Sequence, residues 1–180
     1  MIDSSLLNRY AIALLSLAIE NNNVEEKRKE VKEIKDILYE NIEFSDVLAS
    51  ANLDLNEKYA IIDDVFKSAS EDIKSFMKII VRNNRSQLLP KIFKETLYRF
   101  DDYLHVEEGT LYLAKETSDK EIEKILKGVE KAEGVRIEAD IKIDPTLIGG
   151  FIVELRNNVY DSSIRTKLKN LKTNLKDGGN

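Results

Sequence analysis

The chain has 180 residues, 42% of them hydrophobic and 34% charged, enough for one large globular domain or two small ones. A net charge of -5 lacks the basic footprint that wholesale nucleic-acid binding requires. With no cysteine and a single histidine, His105, the sequence excludes disulfides, thiolate metal sites, a thiol nucleophile and a His–His metal pair.

No stretch approaches the roughly 18 consecutive apolar residues of a membrane span. The longest apolar run, residues 10–19, is interrupted by Ser16 and lacks the basic flank and cleavage site of a signal peptide. A cytosolic protein is the expectation. All seven glycines lie at or beyond Gly109. Glycine weakens helix interiors and permits tight turns, so the chain reads as two parts that meet near residues 105–109.

In the first part, Ser4 or Ser5 is predicted to cap a helix that ends at the asparagines 21–23. Its apolar residues form two faces: Leu7, Ala11, Leu14, Leu15 and Ala18 on one, Leu6, Tyr10, Ala13 and Leu17 on the other. Such a helix is either central in a bundle or shared with a partner. A second helix over residues 24–40 turns Val31, Ile34 and Leu38 inward and leaves Glu26, Lys29, Glu30 and Glu33 to solvent. A short helix follows over residues 44–50.

Asp54 and Glu57 have capping-box spacing for a fourth helix, with Tyr59, Ile62, Val65 and Phe66 on its apolar side. Ser70, followed by Glu71 and Asp72, opens a fifth that carries Phe76, Ile79, Ile80 and Asn83. The sixth starts near Ser86, holds Pro90 in its first turns and reaches Tyr103.

The second part mixes strands and helices. Residues 110–114 form a short strand, and Ser118 with Glu121 caps a helix to Ala132. Gly134 turns the chain into a strand over residues 135–143, where isoleucines, valine and alanine alternate with charges. Residues 151–155 return as a strand, and Asn157-Asn158 suits a two-residue turn with positive φ. Asp161 caps a last helix with a stripe of Ile164, Leu168, Leu171 and Leu175. Its other residues include Arg165, Lys167, Lys169, Lys172 and Lys176. The tail from Asp177 is expected to fray. The fold class is α+β, mainly α: a six-helix bundle over residues 1–105, then a small α/β domain over residues 106–180.

No constellation points to catalysis, a cofactor or a metal. Gly149-Gly150 precedes a strand rather than a helix, so a tight turn or bulge is preferred to a phosphate loop. The adjacent pairs Asp63-Asp64 and Asp101-Asp102 splay by about 100° on a helix and make poor acid–base pairs. The helix dipole accounts for His105. The last helix has five basic residues and no acidic one between Ser162 and Lys176. It suits a nucleic acid, an acidic or amphipathic protein partner, or simply a helix C-terminus.

Several stretches together resemble one family. Arg9-Tyr10-Ala11-Ile12-Ala13-Leu14 matches an R-Y-A-x-A-L opening, and Asn84-Arg85 with Leu89-Pro90 matches N-x-R…L-P. Asp144-Pro145, Leu147-Ile148-Gly149-Gly150, Asp161, Ser163, Arg165 and Leu168 match D-P-x-L-I-G-G…D-G-S-x-R-x-x-L. The chain thus resembles, over nearly its whole length, the delta subunit of the F-type ATP synthase and the mitochondrial oligomycin-sensitivity-conferring protein. Ser162 stands where that family usually has glycine, which raises the question of a positive-φ turn there.

The resemblance implies a non-catalytic stator subunit without cofactors, lodged on the cytoplasmic face of a bacterial membrane as part of the complex. It implies that the N-terminal bundle takes the amphipathic N-terminal helix of an alpha subunit on Leu6, Tyr10, Ala13, Leu17 and Ile79, a helix-in-groove mode. The C-terminal domain would hold the C-terminal end of the stalk b subunits, with Asp144, Pro145, Gly149, Gly150, Asp161, Ser163 and Arg165 structural. Two other readings remain: a nucleic-acid adaptor using the last helix, and an unrecognised hydrolase or transferase.

Overall fold

The computed structural model describes the backbone of residues 4–177 and the side chains of residues 4–172. It is mainly helical, with a small mixed sheet, and it divides into two compact units that meet between Leu104 and His105.

The first unit contains α1 (Ser4–Glu20), α2 (Val24–Glu40), α3 (Ile42–Ala49), α4 (Leu55–Val65), α5 (Glu71–Arg82) and α6 (Leu89–Leu104). Helix α1 already begins at Ser4, so neither serine precedes it as a cap. The asparagines end it as expected: Asn22 takes φ 55°, and the Asn23 N–H donates to the Ala18 carbonyl, closing a Schellman motif. Asn84 repeats this after α5, with φ 55° and the Arg85 N–H on the Ile80 carbonyl. Both halves of the Asp54–Glu57 capping box form, at 2.8 and 2.9 Å. A single 3-10 turn at Ser86–Leu88 precedes α6, which places Pro90 in its first turn.

The core of this unit runs from Leu14 and Ala18 through Val31, Ile34 and Leu38 to Phe93, Leu97 and Phe100. Phe76 stacks edge-on against Phe93 at 5.7 Å. Val65 is the exception to its predicted side: it lies at the end of α4, 51% exposed, while Ile62 and Phe66 are buried.

Charges in α2 do more than solvate it. Arg28 is buried and its Nε donates to Asp101 Oδ1 of α6 at 2.6 Å. Asp101→Asn keeps the shape but removes the charge facing Arg28. It should lower stability by about 2 kcal/mol in urea unfolding of the full chain, the scale of a hydrogen bond to a charged group.

Ser70 precedes α5 but makes no side-chain cap; its N–H and Oγ both donate to Glu30, at 2.9 and 2.7 Å. The buried Lys27 ammonium joins Glu30, Ser70 and Asp72. Burial alone would lift the Glu30 carboxyl, but hydrogen bonds from Ser70 and Lys27 outweigh it and hold it below its ordinary 4.5. A carboxyl depressed in the folded state stabilises fully above its unfolded pKa and loses that contribution as pH falls through its folded one. The melting temperature of the wild type should therefore fall more steeply than that of Glu30→Gln as pH drops below about 4.5. Parallel profiles would show that the network carries no such linkage.

In the second unit the strand order is β2-β1-β3-β4, with β1 (Val106–Leu113), β2 (Arg136–Ile143), β3 (Phe151–Leu155) and β4 (Val159–Asp161). Strand β1 pairs parallel with β2 and antiparallel with β3, and α7 (Asp119–Glu133) makes the crossover between the parallel pair. Helix α7 lays Ile122, Ile125, Leu126 and Val129 over Leu111, Leu113, Ile137 and Val153. Ser118 hydrogen-bonds Glu121 side chain to side chain, so the predicted capping box does not form.

Strand β1 starts four residues before its predicted beginning. Strand β2 forms close to its predicted bounds, but burial does not follow the alternation past Ile137: Ile141 and Ile143 are about half exposed on this edge strand. The β3–β4 turn uses no positive φ at Asn157 or Asn158. Instead Asn158 and Tyr160 both donate to Glu133, at 2.7 and 2.6 Å, and hold its carboxyl below the ordinary range. Helix α8 (Ile164–Asp177) closes the described chain; Leu175 and Lys176 lie outside the described side chains, and the residues after Asp177 outside the described backbone.

Candidate functional site

Helix α1 presents two sides. Ala11, Leu14 and Ala18 are fully buried, with Leu7 and Leu15 packed beside them. The other predicted face stays open: Ala13 and Leu17 are exposed and Leu6 is half-buried. Sequence reading missed that Ile12 and Ile19 are exposed as well, flanking the buried side on its opposite edge.

Tyr10 joins this face to α5. Its ring meets Phe76 edge-on at 6.1 Å, and its hydroxyl accepts from Asn83 Nδ2 at 2.9 Å and Arg85 Nη1 at 2.7 Å. The Arg85 guanidinium also lies 5.6 Å from the centre of the ring. Tyr10 is thus half-buried and anchored in its own unit. Ile79 lies three residues after Phe76 and four before Asn83, and is 43% exposed. On α1, Leu6 and Tyr10 are half-buried and Ala13 and Leu17 exposed on one side, while Ile79 is exposed on α5, the helix that carries Tyr10's partner Phe76. The bonds of Asn83 and Arg85 to Tyr10 were not foreseen; the sequence marked Asn83 only as a residue of the fifth helix and Arg85 only as part of the family motif.

In the second unit the Asp144–Leu168 stretch is a structural joint. Asp144 accepts from the Thr146 N–H at 2.9 Å, and hydrogen bonding by the Thr146 side chain and then its N–H holds the carboxyl low. Pro145 starts a single 3-10 turn, Pro145–Leu147, that buries Leu147 completely. Gly150 takes φ 78°, and Gly149 packs under Ile164. The Ser162 N–H donates to the Phe151 carbonyl and the Ile164 N–H to that of Gly149, both at 2.9 Å. The cap of α8 is Ser163, not Asp161: Ser163 Oγ accepts from the Thr166 N–H at 3.2 Å. Asp161 braces the turn before it, accepting from Thr166 Oγ1 and the Ser163 N–H, which hold its carboxyl low. Arg165 reaches Thr146 Oγ1 at 3.3 Å. Ser162 itself needs no positive φ, so serine in place of glycine is accommodated without strain. The strained residue is Ile148, at φ 64°, an unfavourable setting for a β-branched side chain.

A groove beside α7 is lined by Ile125, Val129, Phe151 and Tyr160 and by the loop at Ile148–Gly150. Its charged lining residues, Lys115, Glu116, Glu121 and Lys124, are all exposed. Among the described residues no group of three or more His, Cys, Asp or Glu is placed to hold a metal. Asp63 and Asp64 are engaged by separate lysines, Lys78 and Lys67, and do not converge.

The described features are thus an open apolar helix face in the first unit and a braced turn in the second. The family profile of the ATP synthase delta (OSCP) subunit matches residues 6–175. The chain belongs to that family. It is 36% identical over 168 residues to the ATP synthase subunit delta of Streptococcus mutans, covering 93% of this chain and 94% of that one. It is 31% identical to its counterpart in Enterococcus hirae, covering 93% of each. A chain in the cryo-EM structure of the Toxoplasma gondii mitochondrial ATP synthase hexamer shares the fold, with a TM-score of 0.67 at 17% identity. That likeness covers 94% of this chain and 97% of that chain.

Proposed function

We propose that the chain is a non-catalytic stator subunit of an F1Fo ATP synthase, linking the catalytic head to the peripheral stalk so that ion flow is coupled to ATP synthesis. The first unit acts as a six-helix bundle that takes the amphipathic N-terminal helix of an alpha subunit. The second holds the C-terminal end of the b subunits. The assembly sits on the cytoplasmic face of the cell membrane and meets the bilayer through other subunits. No helix among the described residues is long and apolar enough to cross a membrane.

The observation that carries the reading is the open apolar face of α1 beside Ile79. A helix buried on one side normally turns polar side chains to water on the other, whereas this one turns Ala13 and Leu17. An amphipathic helix laid there would cover them and the rim of Tyr10.

The test is calorimetric titration of the full chain with a peptide of the alpha-subunit N-terminus from the same cell. Saturable one-to-one binding is the expected result; no binding by the folded wild type would undermine the stator reading. The nucleic-acid reading gains nothing from the relatives compared above, which are named as delta subunits of ATP synthase. The hydrolase or transferase reading lacks a buried charged cluster around the groove.

A further inference from the structure

Strand β2 lies at the edge of its sheet, with β1 on one side and no strand on the other among the described residues. In a parallel ladder a residue gives both its N–H and its C=O to the same neighbour, and successive residues face opposite ways. The Arg136 N–H donates to the His105 carbonyl at 2.9 Å, and the Asp144 N–H to that of Leu113 at 2.7 Å. The register between those two bonds is unbroken, so the even-numbered residues of β2 serve β1 and the odd-numbered ones face out. At one end of the open edge the Ile137 N–H is taken by Glu130 of α7, at 3.0 Å. At the other, Pro145 has no N–H to offer. The window between them presents the backbone of Ala139, Ile141 and Ile143, with neither a proline nor a bulge to blunt it.

The side chains of this window select the strand that fits it. Ile141 and Ile143, 49% and 47% exposed, share a face with the buried Ile137. On the other face Asp140 and Lys142 are exposed opposite Thr110 and Tyr112 of β1, and form no ion pair among the described residues. A second β2 laid antiparallel about a two-fold axis at Ile141 sets Ile141 against its own copy, Ala139 against Ile143 and Asp140 against Lys142. Outward backbone groups then meet outward backbone groups, apolar side chains meet apolar ones, and each carboxylate faces an ammonium. An axis at Asp140 would set that carboxylate against itself. One at Ala139 would set Glu138 against Asp140 and Arg136 against Lys142, like charges opposite like. We propose that two copies of the chain associate through their β2 edges with the axis at Ile141. The contact is isologous, so it closes at two copies. Residues 139–143 of each strand make a small interface, so the dimer is weak and reversible. It is independent of the stator reading, because α1 and α5 take no part in it.

Sedimentation velocity of the full chain from about 10 µM to about 1 mM should show a reversible monomer–dimer equilibrium. Asp140→Lys sets lysine opposite lysine, and Lys142→Asp sets aspartate opposite aspartate. Each variant alone should dimerise about tenfold more weakly than the wild type. Mixed in equal amounts the two should dimerise as well as the wild type, since every charge then faces its opposite. Both positions are exposed, so neither change touches the core. Ile141→Pro removes the N–H at the axis and no bond to β1, and should abolish the dimer, with circular dichroism showing that the chain is folded. Should that variant unfold, the mixing of the two charge variants decides alone. Hydrogen exchange should show the amides of Ala139, Ile141 and Ile143 gaining protection as the wild type is concentrated. A chain that stays monomeric at about 1 mM overturns the proposal. So does a dimer that survives in folded Ile141→Pro, or one that the mixed charge variants fail to restore. Edge amides that gain protection only when another subunit is added would make β2 an acceptor for a foreign strand and also overturn it.

Discussion

Replacing Ala13 by aspartate is expected to lower the affinity of the full chain for the alpha-subunit N-terminal peptide at least a hundredfold, while the chain stays folded. Ala13 is exposed, so in the free protein the new carboxylate is hydrated and the core does not feel it. The cost in the free state is the lower helix propensity of aspartate, about 0.7 kcal/mol. In the complex the same carboxylate would lie against apolar side chains with no partner. Burying a charge unpaired costs several kcal/mol, and each 1.4 kcal/mol is tenfold in affinity. Ser16→Asp is the control: the same charge is added to an exposed position of the same helix, away from Tyr10 and Leu17. It should leave binding within about twofold. Normal binding by a folded Ala13→Asp variant would remove Ala13 from the contact face.

Local chemistry was legible where neighbours in sequence are also neighbours in space. The Asp54–Glu57 box, the inward stripe of α2 and the asparagine stop after α1 follow from spacing alone. The double face of α1 was legible for the same reason, since helical periodicity assigns Ala11 and Ala13 to different sides.

What was not legible depended on partners far along the chain. Ser70 has the position of a cap, but Glu30, forty residues earlier, captures both its N–H and its hydroxyl. Glu30 reads as a solvated charge until Ser70 and Lys27 are set against it, and the pairing of Arg28 with Asp101 on α6 has no local signal. The first residues of β1, Val106–Gly109, carry two glutamates and a glycine and show no alternation; their pairing with residues 136–139 makes them strand. Ile141 and Ile143 alternate like buried residues, and only the strand order shows that they sit on an open edge. Asparagine's tolerance of positive φ was sound chemistry placed at the wrong site: it is used at Asn22 and Asn84, not at Asn157 or Asn158. On the open face of α1 the tyrosine and the apolar stripe were readable, but Tyr10's bonds to Asn83 and Arg85 span more than seventy residues.

The largest loss of stability from a single methyl group is expected at Gly150. Its φ of 78° is a setting that costs an L-residue roughly 1–2 kcal/mol before any contact is considered. A Cβ there would also drive into the Ser162 carbonyl, far inside van der Waals contact, with Ser163 Cα close behind. Those are backbone atoms at the root of α8, held by the Ser162 N–H on Phe151 and the Ile164 N–H on Gly149. They cannot swing aside as a side chain would. Gly150→Ala should therefore destabilise the C-terminal unit by about 4 kcal/mol, in the range reserved for broken special conformations. Gly149→Ala is the discriminating neighbour. Its added methyl would meet Ile164 Cδ1 at 2.5 Å, the far end of a flexible and half-exposed side chain, and its φ is not positive. Rotation of Ile164 should limit that loss to about 1 kcal/mol. Hydrogen exchange of the full chain would locate the damage: with Gly150→Ala, protection should fall across β3 and α8 while α1 to α6 keep theirs. Binding of the alpha-subunit peptide should survive, because the face proposed for it belongs to α1 and α5, in the other unit. If Gly149→Ala proved the more damaging, the tight element of the motif would be the seat of Ile164 rather than the left-handed turn beneath Ser162.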